Sequence, residues 1–255
     1  MRCVYMKKHG KYGMELIMAC LLLVGFYLLS RQAAVVSVQM ATEQGEERND
    51  NKKKEKQENV SGKLILVDAG HGESDPGMIG VGGLEEKGIN LAISLLLKES
   101  LENRGYSVVM TRETDKGLYD ASANNKKAQD MQRRVAMISE KSPFLSVSIH
   151  QNSYQNPSVH GPQVFYYESS EEGRKLASAI QSSLNKNLEV DRPREVKGNT
   201  SYYLLKRSQG TLVIVECGFL TNPEEAEKLQ TEEYQRKVAE AVADGIDTYE
   251  AEGKQ

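Results

Sequence analysis

The sequence contains little cysteine and no excess of positive charge. Three cysteines occur among 255 residues: Cys3 and Cys20 near the N-terminus, and Cys217 far downstream. This distribution excludes a disulfide framework and a cysteine-rich zinc module. The formal net charge is −3, and no basic stripe dominates the part expected to fold. We therefore expect no nucleic-acid partner.

The composition is sufficient for one folded domain with an appendage. Of the 255 residues, 39% are apolar, which is enough for a proper core. There are four histidines, so each can be weighed individually as a ligand or a structural residue.

The N-terminal segment is typical of a targeting element. Three lysines precede an apolar run over residues 16–29, and Arg31 follows it. A basic flank before a short apolar stretch is typical of an export signal. The run is shorter than the roughly 20 residues of a comfortable membrane span, but no convincing cleavage site follows it. We predict an uncleaved signal-anchor over residues 1–36, with the remainder extracytoplasmic. If the signal is cleaved, the protein is secreted.

The anchor is followed by a polar, charged segment that has almost nothing to bury. Such a composition favours a solvated tether. We therefore predict a linker over residues 37–62 and a single folded domain over residues 63–251.

Within the domain, strand patterns alternate with helix patterns. Short runs of apolar and β-favouring residues predict strands at residues 63–68, 106–112, 144–150, 163–167 and 212–216. Helices are predicted at residues 87–104, 128–141 and 172–188 and in a C-terminal segment that contains Tyr234, Val238, Val242 and Ile246. This alternation predicts a three-layer α/β domain with a largely parallel sheet.

Two histidines and a glutamate lie where predicted strands end. His71 follows LILVDAG, His150 closes FLSVSI, and Glu216 closes LVIV. Binding sites in open α/β sheets form at the carboxyl ends of the strands. A single buried histidine is usually a hydrogen-bonded core residue, but the shared placement of these three residues favours a functional site.

The segment from Asp68 to Glu86 holds six glycines, too many for a packed element. Glycine lets the backbone turn tightly and approach a ligand closely. A surface loop without function is the plain alternative. A phosphate-binding loop is discounted, because the segment lacks the Gly-Lys-Ser/Thr ending and the dinucleotide glycine spacing.

These residue types favour a catalytic metal site. Two imidazoles and one carboxylate leave a fourth position on zinc open for water, and either Glu85 or Glu86 can supply the carboxylate. A bound zinc ion lowers the pKa of its water towards about 7. A second glutamate can then take the proton and pass it to a leaving amine. Glu216 fits this role, because a buried glutamate is costly unless it is paired or active.

Cys217 is an alternative nucleophile, with His150 nearby. Successive strand residues point to opposite faces, however. If Glu216 faces the cleft, Cys217 faces the core, where it behaves as a small hydrophobe. We expect His160 in a loop and His9 on the cytoplasmic flank of the anchor.

The domain resembles the zinc-dependent N-acetylmuramoyl-L-alanine amidases of the amidase-3 type over about residues 63–249. The matching stretches are LVDAGHGESDPG, LEEKGINLA, GYSVVMTRETD, QRRVAMIS, LSVSIHQNS and VIVECGFLTN. The resemblance implies a mixed sheet flanked by helices. Two positions depart from the family pattern, Ala69 for a usual proline and Ser139 for a frequent asparagine, and neither is a ligand position.

By this resemblance, the zinc ligands are His71, Glu86 and His150, and Glu216 is the catalytic glutamate. Glu86 is favoured because the family's carboxylate ligand directly precedes a lysine, as it does here. The implied reaction is hydrolysis of the amide between N-acetylmuramic acid and the L-alanine of the peptidoglycan stem peptide.

A lone domain behind an anchor, with a polar insert at residues 116–129, is most similar to the germination-specific, spore-cortex members of this family. The implied role is muramic-δ-lactam formation in the space around the forespore. The segment between His150 and Gln163 is too short for the inhibitory helix of some relatives, so an open cleft or a regulatory protein partner is expected. The alternatives are a vegetative cell-wall amidase and a non-catalytic scaffold that binds the wall.

Overall fold

The structure is a computed structural model and describes residues 62–253. The predicted signal-anchor, and all but the last residue of the predicted linker, lie outside this range. Within residues 62–253, no helix combines the length and apolar character needed to cross a membrane.

Strands and helices alternate along this part of the chain. The strands are β1 (Leu64–Ala69), β2 (Ser107–Met110), β3 (Leu145–Asn152), β4 (Gln163–Tyr167), β5 (Lys197–Asn199) and β6 (Leu212–Phe219). The helices are α1 (Glu86–Asn103), α2 (Lys126–Lys141), α3 (Glu171–Asn187), α4 (Tyr203–Arg207), α5 (Pro223–Leu229) and α6 (Glu232–Glu252). A short 3-10 turn, Val81–Gly83, lies in the glycine-rich segment.

The strands form one sheet in the order β2-β1-β3-β6-β4-β5. The first four of these run parallel, β4 is antiparallel to β6, and β5 is parallel to β4. Helices α1, α3 and α6 pack on one face, and α2 and α4 pack on the other. The predicted fold class, a three-layer α/β domain with a mostly parallel mixed sheet, is confirmed.

Side chains alternate between the two faces of the sheet. On β1, Ile65 and Val67 belong to the larger core beneath α1 and α6, whereas Leu66 belongs to the smaller core beneath α2 and α4. The same period of two on β3 and β6 directs His150 and Glu216 to the α2 and α4 face. Strand periodicity therefore decides which residues can share a site.

Capping side chains set the helix starts near the C-terminus. The Asn222 side chain accepts a hydrogen bond from the Glu225 N–H at 2.9 Å, with Pro223 at the first helical position. Both features are typical of a helix start. This helix ends at Leu229, and the Thr231 side chain caps the next helix. The C-terminal segment therefore forms two helices.

Several elements differ from the sequence-based expectation. β3 and β6 continue to Asn152 and Phe219, beyond their predicted ends. The short elements β5, α4 and the 3-10 turn were not predicted. Runs of three to five residues are too short to carry a diagnostic periodicity.

The close approach of α3 and α6 leads to a stability prediction. A Cβ atom added at Gly245 in α6 would lie 2.5 Å from the Ile180 Cα in α3. We expect Gly245→Ala to destabilise the fold by about 1–3 kcal/mol, because the helices must separate. The control is Gly88→Ala in α1, where an added Cβ meets nothing within 4 Å. It should be neutral or stabilise by up to ~1 kcal/mol. Urea denaturation measures both, and equal effects would contradict the packing argument.

Candidate metal centre

The sheet brings the three strand-end residues together. His150 in β3 and Glu216 in β6 are register partners on adjacent parallel strands. His71 lies two residues beyond the end of β1, which borders β3 on its other side. All three therefore meet at the carboxyl edge of the sheet, as open α/β folds require of their sites.

Glu86 lies between the two histidines. Its Oε2 is 3.2 Å from His71 Nε2, and its Oε1 is 3.0 Å from His150 Nδ1. The two imidazole rings meet edge to face, with centroids 5.0 Å apart. One ligand atom from each of the three residues lies within 4.8 Å of the others. In residues 62–253 this is the group of His, Cys, Asp and Glu side chains with the spacing to hold a metal ion.

The structure distinguishes the two glutamates that the residue pattern left open. Glu86 is the first residue of α1 and is buried between the histidines. Glu85 precedes the helix, is half exposed, and has its carboxylate 3.4 Å from Lys87 Nζ. Glu86 therefore belongs to the group and Glu85 does not.

Two glycines allow the backbone to approach these side chains. A Cβ atom at Gly77, where φ is 71°, would lie 2.5 Å from Glu86 Oε2. A Cβ atom at Gly70 would overlap the His150 ring. Because any side chain at either position would displace a member of the group, glycine at these two positions is a steric requirement of the site.

The Glu86 carboxylate is held as an anion. Its oxygens accept hydrogen bonds from the Met78 N–H at 2.8 Å, the Gln151 N–H at 3.0 Å and Asn90 Nδ2 at 3.0 Å. Burial alone would raise its pKa, but hydrogen bonding to His150 and His71 and the charges of these two histidines hold the pKa of Glu86 well below its usual range. A permanently charged carboxylate beside two imidazoles is a strong divalent-metal ligand set.

Asp75 orients His71 and was not identified from the sequence. Its Oδ2 is 2.9 Å from His71 Nδ1, and its Oδ1 accepts the Gly77 N–H at 3.2 Å. With the proton on Nδ1, His71 directs the lone pair of Nε2 towards Glu86. Metal-binding histidines usually donate their second ring N–H to a carboxylate. That rule, applied to the acids near His71 in the sequence, is the signal that could have found Asp75.

Arg134, a buried residue of α2, fixes the backbone that carries His71. Its guanidinium donates to Asp68 at 2.5 Å, to Asp130 at 2.6 Å, and to the carbonyl oxygens of Ala69 and His71, both at 2.7 Å. Burial alone would raise the pKa of Asp68, but Arg134 is the main influence that lowers it to about 2. His71 itself has φ of 62°, an uncommon conformation for a residue with a side chain.

A second arginine, Arg112, follows β2 and binds the same turn. Its Nε donates to the Ala69 carbonyl at 3.0 Å, and its Nη2 donates to the carbonyls of Gly70 at 2.9 Å and Lys87 at 2.8 Å. Two guanidinium groups thus donate hydrogen bonds to three consecutive carbonyls, those of Ala69, Gly70 and His71. Both arginines lie in matching stretches of the sequence, but their role depends on geometry that the sequence alone did not reveal.

The segment between β2 and α2 packs against the glycine-rich loop. Asp115 accepts the Glu73 N–H at 2.8 Å and pairs with Lys87 Nζ at 2.8 Å. The hydroxyl of Tyr119 accepts the Ser74 N–H at 3.0 Å. These contacts fix residues 73 and 74, directly before Asp75.

Glu216 lies in the same cavity but in a different environment. The cavity has a volume of about 330 Å³ and is lined by the three grouped residues, by Glu216, and by side chains of α2 and α4. Burial raises the pKa of Glu216 to about 7. Its Oε2 is buried and finds no hydrogen-bond partner within the described residues. The structure therefore gives this carboxyl oxygen no hydrogen bond that would explain its burial.

The remaining predicted residues lie elsewhere. Cys217 points into the larger core and is fully buried, and burial raises the pKa of its thiol well above the usual range. His160 lies in a loop before β4 and contacts Asp191 at 2.9 Å. His9 is outside the described residues.

Comparisons with known proteins agree on one family. The family model described as N-acetylmuramoyl-L-alanine amidase matches residues 65–248. A germination-specific N-acetylmuramoyl-L-alanine amidase of Bacillus subtilis (strain 168) is 37% identical over 193 residues, covering 74% of this chain and 81% of the relative. An uncharacterized protein of the same organism, YqiI, is 40% identical over 195 residues, covering 75% and 87%.

The solved structures show the same fold. The CwlD amidase from Clostridioides difficile, in complex with the GerS lipoprotein, has a TM-score of 0.72 and 38% sequence identity. The match covers 74% of this chain and 98% of that chain.

The arginine network leads to a stability prediction. Arg134→Leu leaves Asp68 buried without its cation, so we expect a loss of about 3–5 kcal/mol in the free energy of unfolding. The control is Arg133→Leu, one position earlier, where a partly exposed side chain pairs with exposed Asp120. It should cost less than about 1 kcal/mol. Urea denaturation followed by circular dichroism compares the two, and similar losses would refute the assigned importance of Arg134.

Proposed function

The chain belongs to the N-acetylmuramoyl-L-alanine amidase family, and we propose that it hydrolyses the amide bond between N-acetylmuramic acid and the L-alanine of the peptidoglycan stem peptide. One observation carries the proposal. Two imidazoles and a carboxylate come within 4.8 Å of one another, in a cavity that also holds a buried carboxyl oxygen without a partner.

We propose zinc as the metal of this site. Two imidazole nitrogens and one carboxylate oxygen suit zinc and leave room for a water molecule. His71, Glu86 and His150 would hold the ion, and Asp75 would keep His71 in the required tautomer. When bound, the ion polarises the substrate carbonyl and lowers the pKa of its water.

Glu216 acts as the proton carrier. It removes one proton from the attacking water as the water oxygen bonds to the carbonyl carbon of the lactyl group. The same carboxyl group then donates that proton to the alanine nitrogen as the carbon–nitrogen bond breaks, leaving a free carboxyl group and a free amine. A pKa near 7 suits both steps, because the group must accept and release a proton at neutral pH.

We further propose that the cleavage serves spore-cortex modification. The support is the 37% identity to a germination-specific amidase. A vegetative role in division or wall remodelling is the alternative. The two differ in a measurable product: cortex from spores lacking this protein should contain no muramic-δ-lactam if the first holds, and normal amounts if the second holds.

Location and partners are proposals of the same kind. An enzyme for this substrate acts outside the cytoplasm, and the predicted signal-anchor would attach it to the membrane. A C. difficile relative is solved in complex with the GerS lipoprotein, and on this basis we propose that a protein partner regulates this chain as well.

A non-catalytic wall-binding scaffold is the competing class. A scaffold would leave muropeptides intact with or without metal.

The role of Glu216 leads to a direct test. Glu216→Gln keeps the shape but cannot accept the proton, so the cleavage rate should fall by about 10²–10⁴-fold while metal content is unchanged. Mass analysis of peptidoglycan fragments, with and without a chelator, measures the rate. The control Cys217→Ala should retain activity, because that side chain lies in the core. Loss of activity in this control, together with an active Glu216→Gln variant, would favour the thiol mechanism instead.

The adjacent glutamates provide a matched test of the metal site. Glu86→Gln removes the charged ligand. Changes in residues that only support a ligand typically lower metal affinity by roughly 10–100-fold, and we expect a larger loss of zinc affinity in this variant. Glu85→Gln should keep stoichiometric zinc, because Glu85 lies outside the group. Elemental analysis after dialysis and competition with a chelator measure both variants. The reverse order of affinities would disprove the assignment.

A further inference from the structure

The cavity next to the metal centre has one wall with an exposed cation. Lys127 is the second residue of α2, and its side chain is 70% exposed and lines the cavity. Its Nζ is 3.4 Å from Asp75 Oδ2, and the same oxygen is 2.9 Å from His71 Nδ1. The Asp75 carboxylate therefore lies between the ammonium group and the side chain of a proposed metal ligand.

The other charged residues described in the cavity lining do not provide an exposed cation. Arg134 also lines it, but its guanidinium is buried and bonded to Asp68 and Asp130. The remaining charged lining residues are carboxylates, among them Glu86 and Glu216. Among the described residues that line the cavity, Lys127 is therefore the solvent-exposed cation able to meet an anionic part of a substrate.

We propose that Lys127 binds a free carboxylate of the stem peptide and so makes the enzyme selective for its acidic form. The inference rests on the proposed amidase function. The second residue of a muramyl stem peptide carries an α-carboxylate one residue beyond the alanine whose nitrogen is released. Consecutive Cα atoms are about 3.8 Å apart, so this carboxylate lies roughly 5–7 Å from the scissile nitrogen. Because Lys127 lines the same cavity as the three proposed metal ligands, one bound stem peptide can reach both.

The ion pair with Asp75 does not prevent Lys127 from binding a substrate carboxylate. An exposed ion pair at 3.4 Å contributes little to stability, because water competes with it. A charged donor forms a shorter and stronger hydrogen bond to a substrate carboxylate than a neutral donor does.

The adjacent lysine provides a matched control. The Nζ of Lys126 lies over the ring of Tyr119, 5.2 Å from its centroid, and Lys126 does not belong to the cavity lining. Lys126→Ala therefore removes the same charge from the same helical turn without touching the proposed binding position.

The test uses two synthetic disaccharide-tripeptides that differ only at the second residue, where the α-carboxyl group is free in one and amidated in the other. The 255-residue chain is purified with zinc, in detergent. The native protein should have a KM several-fold lower for the acid form. Lys127→Ala should raise that KM about five-fold or more with kcat nearly unchanged, and it should remove the preference. Lys127→Arg should restore the preference, and Lys126→Ala should leave it intact.

Other results would contradict either the role of Lys127 or the amidase function. If Lys127→Ala impairs both substrates equally, or lowers kcat alone, the residue acts through Asp75 and His71 and the proposal is wrong. If the native protein cleaves neither substrate, the amidase function fails. Calorimetric binding of the free and amidated tripeptides then still decides the role of Lys127. Preference for the acid that disappears in Lys127→Ala supports the role, and equal binding refutes it.

Discussion

The geometry of the candidate metal centre depends on the buried ion pair between Arg134 and Asp68. The two residues are separated by 66 positions, and the same guanidinium continues to the carbonyls of Ala69 and His71. His71 occupies a left-handed backbone conformation, which costs on the order of 1–3 kcal/mol unless the surroundings impose it. Fixed donors on the neighbouring carbonyls impose it, and the histidine ring is thereby held beside Glu86.

Two carboxylates at the same edge of the sheet have opposite environments. Glu86 accepts hydrogen bonds from two backbone N–H groups and an amide side chain, and its pKa is held low. Glu216 has a buried oxygen without a partner, and burial raises its pKa to about 7. Pairs of acids whose surroundings separate their pKa values divide the roles of ligand and proton carrier. The proposed mechanism assigns the roles in that way.

The sequence was informative where a local pattern determines the outcome. Apolar runs located the central strands, and their period of two correctly separated Glu216 from Cys217. The residues alone could not choose between Glu85 and Glu86, because one helical step decides which of them points inward. Asp75, Arg112 and Arg134 could not be assigned roles, since their contacts join elements far apart in the chain. Short elements such as β5 and α4 contain too few residues to show a period.

The direction of β1 separates the first described residues from the candidate metal centre. The chain reaches this strand at Leu64, at its amino end, whereas the metal centre begins just after Ala69 at its carboxyl end. Six extended residues span about 20 Å. The first residues of β1 are therefore separated from the cleft by the length of the strand. A long glycan polymer can approach the cleft without contacting the residues at which the described part of the chain begins.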